Sequence, residues 1–223
     1  MADDAMTREP RTGPIKVAVC ASGGGTTLQN LLDQIGDGRL DARVVHVVGS
    51  KAGIGAIARA EAAGVPASVA LRAGKSLEAF SREVFDPIRA AGAELVVLGG
   101  FLALVEIPDD YAGRVINIHP SLIPAFCGKG FHGAAVHQAA VEAGVKVSGC
   151  TVHFADQTYD TGPIIVQRAV PVWAEDTAET LAARVFGAEC EALPEAIELF
   201  AEGRLRVSGR VVSVVGDDPR RGS

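Results

Sequence analysis

The tightest constraint on the fold of this chain is a repeated alternation in its first hundred residues. Residues 15–20 (IKVAVC), 42–50 (ARVVHVVGS) and 94–100 (ELVVLGG) are nearly unbroken apolar runs, with a shorter run near ASVAL. Such runs lack the in–out alternation of a half-solvated strand, so both faces of the sheet are expected to be covered. Between them lie stretches of helical pattern, TLQNLLDQIGDG closing at Gly36, GAIARAEAAG over 55–64, and a third from about 76 to 91. A strand–helix succession of this kind predicts a parallel sheet with right-handed crossovers.

The second half changes character. RVINIHP predicts a fifth strand, PAFCGKGFHG a loop and AAVHQAAVEAG a helix. VKVSGCTVHFA and PIIVQRAVPVW are separated by only about eight residues, too few for a helical crossover, so an antiparallel hairpin is expected. Residues 176–203 carry a helical stripe of Leu181, Val185, Phe186, Leu193, Ile197 and Phe200, with Pro194 expected to kink the helix or begin a new one. RVSGRVVSVV predicts a terminal hairpin, residues 1–14 a mobile tail and GDDPRRGS a loose one. The fold class is therefore α/β and Rossmann-like, a mostly parallel central sheet with an antiparallel C-terminal portion.

Composition narrows the partners. A net charge of -6 argues against general affinity for nucleic-acid phosphates. No apolar run reaches the roughly 18 residues of a spanning helix, so no membrane partner is expected. Cys20, Cys127, Cys150 and Cys190 form no close pair of metal-knuckle type, which points to a reducing cytoplasm and no metal. Cys20 and Cys150 fall in apolar runs, as buried free thiols do.

Three segments could carry chemistry. ASGGGTTLQN, 21–30, places glycines between a first strand and a first helix, where backbone N–H groups can converge on an anion. A dinucleotide fingerprint starting at Gly23 would need glycine where Leu28 stands, and a Walker-type loop would need a lysine that is absent. A cradle for a small phosphorylated substrate or a plain flexible turn remain. In INIHPS, 116–121, Asn117 and His119 are two apart and so share one side at a strand's carboxyl end, where open α/β sheets place ligands. His titrates near neutrality and Asn offers a neutral donor to an oxyanion, although on these residues alone a structural pair at a strand end is slightly favoured. DQTYDTGP, 156–163, holds two carboxylates that are either a solvated turn or, if one meets His119, a means of orienting and charging it.

SGGGTTLQN, INIHPSLIPAF and TVHFADQTYDTGPIIVQRAVPV, in this order, resemble the small glycinamide ribonucleotide formyltransferases of purine synthesis, over nearly the whole span 15–205. N-x-H-P-S and the D-x-G-P loop are specific to the wider formyltransferase superfamily. Within it, 223 residues fit the purine enzymes rather than methionyl-tRNA formyltransferases or formyltetrahydrofolate hydrolases, which add further domains. The resemblance implies a formyltransferase domain over 15–205, with a phosphate-binding half at 15–115 and a catalytic half at 116–205, followed by the terminal hairpin and tail at 206–223. It implies catalytic Asn117, His119 and Asp160. It implies that Gly24, Gly25, Thr26 and Thr27 hold the substrate phosphate and that Glu189 contacts the ribose. The folate pocket is implied at Leu102, Ala103, Leu104, Val105, Asn117, Asp156, Tyr159 and Asp160. Three departures stand out: Gly23-Gly24-Gly25-Thr26-Thr27 where the family often reads G-N-G-S-N, the loop Phe126–His132 where it more usually reads P-G-x-x-x-H, and Leu77 where an Arg often contacts the folate.

The expected activity is formyl transfer from 10-formyltetrahydrofolate to the amine of glycinamide ribonucleotide. Asn117 and a protonated His119 would stabilise the oxyanion, with Asp160 keeping His119 charged and relaying a proton. A formyltetrahydrofolate hydrolase and a non-catalytic nucleotide- or folate-binding module are the alternatives. The expected partners are these two small molecules, with no nucleic acid, no membrane and a homodimer left open. His153 is expected to be a hydrogen-bonded core or supporting group. His46, His132 and His137 are assigned no chemistry, and Trp173 is expected to pack rather than stack on a ligand.

Overall fold

A computed structural model describes residues 13–216. The expected tails at 1–14 and 216–223 lie outside the described residues, apart from Gly13, Pro14 and Gly216. Nine strands form one sheet. In chain order they are β1 (Ile15–Ala21), β2 (Ala42–Gly49), β3 (Ala67–Val69), β4 (Leu95–Leu98), β5 (Val115–His119), β6 (Val147–Phe154), β7 (Ile164–Pro171), β8 (Leu205–Ser208) and β9 (Val211–Val214). The helices are α1 (Thr26–Gly36), α2 (Gly55–Ala62), α3 (Leu77–Ala90), α4 (Ala134–Glu142) and α5 (Ala178–Ala201).

The strand order is β3-β2-β1-β4-β5-β6-β7-β9-β8. Strands β1 to β5 pair in parallel, and β5–β6 and β6–β7 are antiparallel, as the short β6–β7 connection requires. From β1 the chain crosses first to β2 on one side and later to β4 on the other. The loops leaving the carboxyl ends of β1 and β4 therefore part in opposite directions and leave a crevice, where sheets of this kind bind ligands.

The unbroken apolar runs are explained by burial on both faces. Val17 and Val19 of β1, with Leu95 and Val97 of β4, pack with Leu28, Leu31, Leu181 and Ile197 from α1 and α5. The alternate residues Ala18, Cys20, Val96 and Leu98 pack with Phe80, Val84, Phe85 and Ile88 from α3. Of the expected α5 stripe, Phe186 is the exception: it is only half-buried and faces the crevice instead of the core.

Pro194 does not start a new helix, because α5 runs continuously through it. A proline inside a helix leaves the carbonyl four residues earlier without its N–H donor. Here that carbonyl belongs to Cys190, and α1 supplies the replacement: Gln34 Nε2 donates to it at 2.6 Å and Asn30 Nδ2 at 3.3 Å. Gln34 is itself buried in the α1–α5 contact. We predict that Gln34→Ala lowers stability by about 1–3 kcal/mol, the cost of a part-buried carbonyl that loses its main donor. A urea titration should show a lower midpoint at unchanged slope; an unchanged midpoint would mean that Asn30 alone satisfies Cys190.

Candidate active site

The crevice opens as a cleft of about 720 Å³, within the usual size of a small-molecule site. The glycine loop forms one end of it. Ser22 fixes the loop's entry, since its amide donates to Gly100 O at 3.1 Å and its hydroxyl accepts from Leu102 N at 3.0 Å. Gly25 then caps α1 with φ +76°, a left-handed conformation that side chains with a Cβ avoid. A Cβ at Gly25 would also stand 2.6 Å from Ala56 Cα, so the loop lies directly against the start of α2. The first amides of α1 have no partner within the helix and face an end where the helix dipole favours negative charge.

The other end is built around Asp160. Its backbone is left-handed at φ +57°, and its side chain is 9% exposed. Oδ2 accepts from Gly128 N at 2.8 Å and lies 3.6 Å from His119 Nδ1, while Oδ1 accepts from Asn117 Nδ2 at 3.3 Å and lies 3.7 Å from His153 Nε2. Burial raises the Asp160 carboxyl, but His153, the charge of His119 and the Gly128 amide outweigh it, so the group stays below the usual carboxylate range and ionised at neutral pH.

His119 is buried, and its Nε2 lies 2.9 Å from Phe126 O. A carbonyl only accepts, so Nε2 carries a proton and Nδ1 is left as the nitrogen that can gain or lose one. Phe126 has φ +49°, a conformation uncommon outside glycine, in the segment that brings its carbonyl to the imidazole. Burial lowers the His119 pKa, Asp160 opposes this, and the net shift is downward. At neutral pH the free cleft therefore favours the neutral ring, and the carboxylate of Asp160 does not by itself offset the cost of burial.

The same logic fixes His153. Its Nδ1 lies 2.8 Å from Phe154 O and must donate, so in the neutral ring Nε2 accepts from Asn117 Nδ2 at 3.0 Å. Asn117 thus gives one N–H to His153 and the other, more weakly, to Asp160. His153 is a supporting group, as expected.

Every residue singled out from the sequence lines this one cleft: Gly24, Gly25, Thr26, Thr27, Leu102 to Val105, Asn117, His119, Asp156, Tyr159, Asp160 and Glu189. Burial pushes the Glu189 carboxyl up to about 7. The carboxylate of Asp156 is engaged locally, accepting from Thr158 N and from the Thr161 hydroxyl, so it shapes the turn that positions Asp160. Tyr159 reaches across to Leu102 O at 3.3 Å, joining the two segments expected around the folate.

Sequence reasoning passed over His132 and His137, both of which line the cleft. His137 is buried with Nδ1 unpartnered, and burial followed by the charge of His119 lowers its pKa. Its periodicity with the apolar Val136 and Ala140 gave no sign of this. Among the described residues no cluster of His, Cys, Asp or Glu could hold a metal ion, and no helix is long and apolar enough to cross a membrane.

Comparison with known proteins agrees with this geometry. Residues 15–197 match the formyl transferase family. The chain is 41% identical over 220 residues to the trifunctional purine biosynthetic protein adenosine-3 of Drosophila pseudoobscura pseudoobscura, covering 96% of this chain but only 15% of that protein's length. The crystal structure of glycinamide ribonucleotide transformylase 1 from Symbiobacterium toebii superposes with a TM-score of 0.83 at 40% identity, over 95% of this chain and 99% of that one. A formyltetrahydrofolate deformylase from Pseudomonas syringae pv. tomato superposes with a TM-score of 0.80 at 27% identity, over 90% of this chain and 66% of that one.

The loop geometry separates two neighbouring glycines. Gly25→Ala should destabilise the protein by at least about 1–2 kcal/mol, because a left-handed backbone and the Ala56 contact both oppose a Cβ. Gly24→Ala meets no atom within 4 Å and should stay within about 1 kcal/mol of the parent. Denaturant unfolding of the two variants checks the contrast; equal effects would mean that the loop does not sit against α2 as described.

Proposed function

Because the chain belongs to the formyl transferase family, we propose that it moves a formyl group from 10-formyltetrahydrofolate to the amine of glycinamide ribonucleotide, a step of purine synthesis. One observation carries the reading: a loop suited to phosphate and the Asn117, His119 and Asp160 group open onto the same cleft. A hydrolase that uses water as acceptor needs the second feature and gives the first no task.

In this reading the substrate phosphate lies against Gly24, Gly25, Thr26 and Thr27, and the ribose hydroxyls meet Glu189. The folate ring lies between the Leu102–Val105 segment and the Asp156–Asp160 turn, with Asn117 at its reactive end. The amine nitrogen attacks the formyl carbon, and the carbonyl oxygen becomes an oxyanion. Asn117 can turn to it the N–H now lent weakly to Asp160, while His153 keeps the amide in register. His119 Nδ1 meets the same oxygen. The ring is neutral at rest, and the developing negative charge, added to that of Asp160, draws onto Nδ1 the proton that the amine nitrogen sheds as it attacks. Donors placed this way are worth about 2.7–4 kcal/mol each at the transition state. When the intermediate collapses, the bond from carbon to the folate nitrogen breaks. The proton lost by the amine reaches that nitrogen, with Asp160 as the relay.

The chemistry draws every residue from one chain, and a homodimer is compatible with it. A cytoplasmic location belongs to the same proposal.

Formyl transfer measured with and without glycinamide ribonucleotide tests the assignment, and turnover should require it. Release of formate at the same rate without it would favour the hydrolase, a reading kept in view by the likeness to the deformylase. Asp160→Asn should fold, since Asn also tolerates the left-handed backbone. Its turnover should drop by about 100-fold or more, with little change in either KM. A loss confined to KM would make Asp160 a binding residue. His119→Ala should likewise fold and lose most turnover, and near-normal rates in the folded variant would remove His119 from the mechanism.

A further inference from the structure

A peptide group is planar and trans, so its C=O and the N–H of the next residue point in opposite directions. Turning the glycine loop's carbonyls away from the cleft therefore aims its amides into it. Gly23 O is drawn back by Ala56 N at 3.1 Å, which aims the Gly24 amide forward. Gly24 O is drawn back by a side chain: Arg59 Nε donates to it at 2.9 Å, which aims the Gly25 amide forward. Gly55 permits the approach, since a Cβ there would fall 2.7 Å from Gly24 O.

The same guanidinium reaches α1. Arg59 Nη1 donates to Gln29 Oε1 at 2.7 Å, and Gln29 Nε2 donates to Asp33 Oδ1 at 2.8 Å. Arg59 thus ties α2, the glycine loop and the first turn of α1 together. Among the described residues no carboxylate forms a direct ion pair with it, and Asp33 is reached only through Gln29. A cation bonded to a peptide carbonyl also polarises that peptide and strengthens its N–H as a donor.

We propose that Arg59, outside the cleft lining, is a positioning residue for the substrate phosphate: it orients and polarises the Gly24–Gly25 peptide and supplies positive charge to the phosphate dianion. The proposal rests on the reading of the glycine loop as the phosphate site.

The test compares the parent with Arg59→Ala and Arg59→Lys. Inorganic phosphate binding is followed by titration calorimetry, and KM for each substrate and kcat are measured alongside thermal unfolding. In Arg59→Ala, phosphate affinity and the KM for glycinamide ribonucleotide should weaken by about tenfold or more, the scale of a lost charged hydrogen bond. The folate KM and kcat should change far less. Arg59→Lys should recover part of the phosphate affinity, since it restores the charge and one donor but not the bridge to Gln29. Unchanged phosphate affinity in Arg59→Ala would overturn the proposal. So would equal weakening of both substrates with a lowered melting temperature, which marks a purely structural role. If the parent bound phosphate through Arg59 but transferred no formyl group to glycinamide ribonucleotide, the Arg59 proposal would stand and the functional assignment would fall.

Discussion

The cleft depends on one buried carboxylate. Asp160 gathers the amide of Gly128, the carboxamide of Asn117 and the imidazoles of His119 and His153, which arrive from the 126–133 loop, β5 and β6. An anion in this setting is tolerated because the N–H groups of Gly128 and Asn117 donate to it, and it holds both of them in place in turn. The neighbouring backbone conforms to the arrangement. Asp160 and Phe126, the two non-glycine residues with positive φ among those described, both serve His119, one through its carboxylate and the other through its carbonyl. Local strain of this sort persists where the surroundings over-determine it.

The sheet decides where such a cluster can form. β5 is the last strand of the parallel set and pairs with the antiparallel β6, so His153 stands opposite Asn117 across the ladder. The tight β6–β7 connection then returns Asp160 to the same edge. A helical crossover at that point would carry the chain to a face of the sheet and away from His119. The change from parallel to antiparallel pairing thus brings the acid to the base.

Much of this was legible in the sequence because it follows from short-range rules. Unbroken apolar runs reported a sheet covered on both faces, and the two-residue spacing put Asn117 and His119 on one side. The brief gap before PIIVQRAVPV required a hairpin. What escaped depends on contacts between distant segments. The charge state of His119 turns on how deeply the ring is buried, which no spacing reveals. Phe186 fits the apolar period of α5 as well as Leu181 does, yet it faces the cleft because the neighbouring loops leave that side open. His137 is hidden for the same reason. Arg59 reads as an ordinary helix-surface charge until Gly55 is seen to let α2 approach the loop. Pro194 predicts a broken helix only if nothing else can bond to Cys190.

That substitute bond ties the glycine loop to a second wall of the cleft, the one that carries Glu189. Gln34 lies on the helix that begins at the glycine loop, and it grips α5 at Cys190, one residue beyond Glu189. The loop and the carboxyl are thereby held as the two jaws of a caliper, set by a covalently continuous helix on one side and a hydrogen bond on the other. A gauge fixed in this way is set by the fold itself, before any ligand arrives.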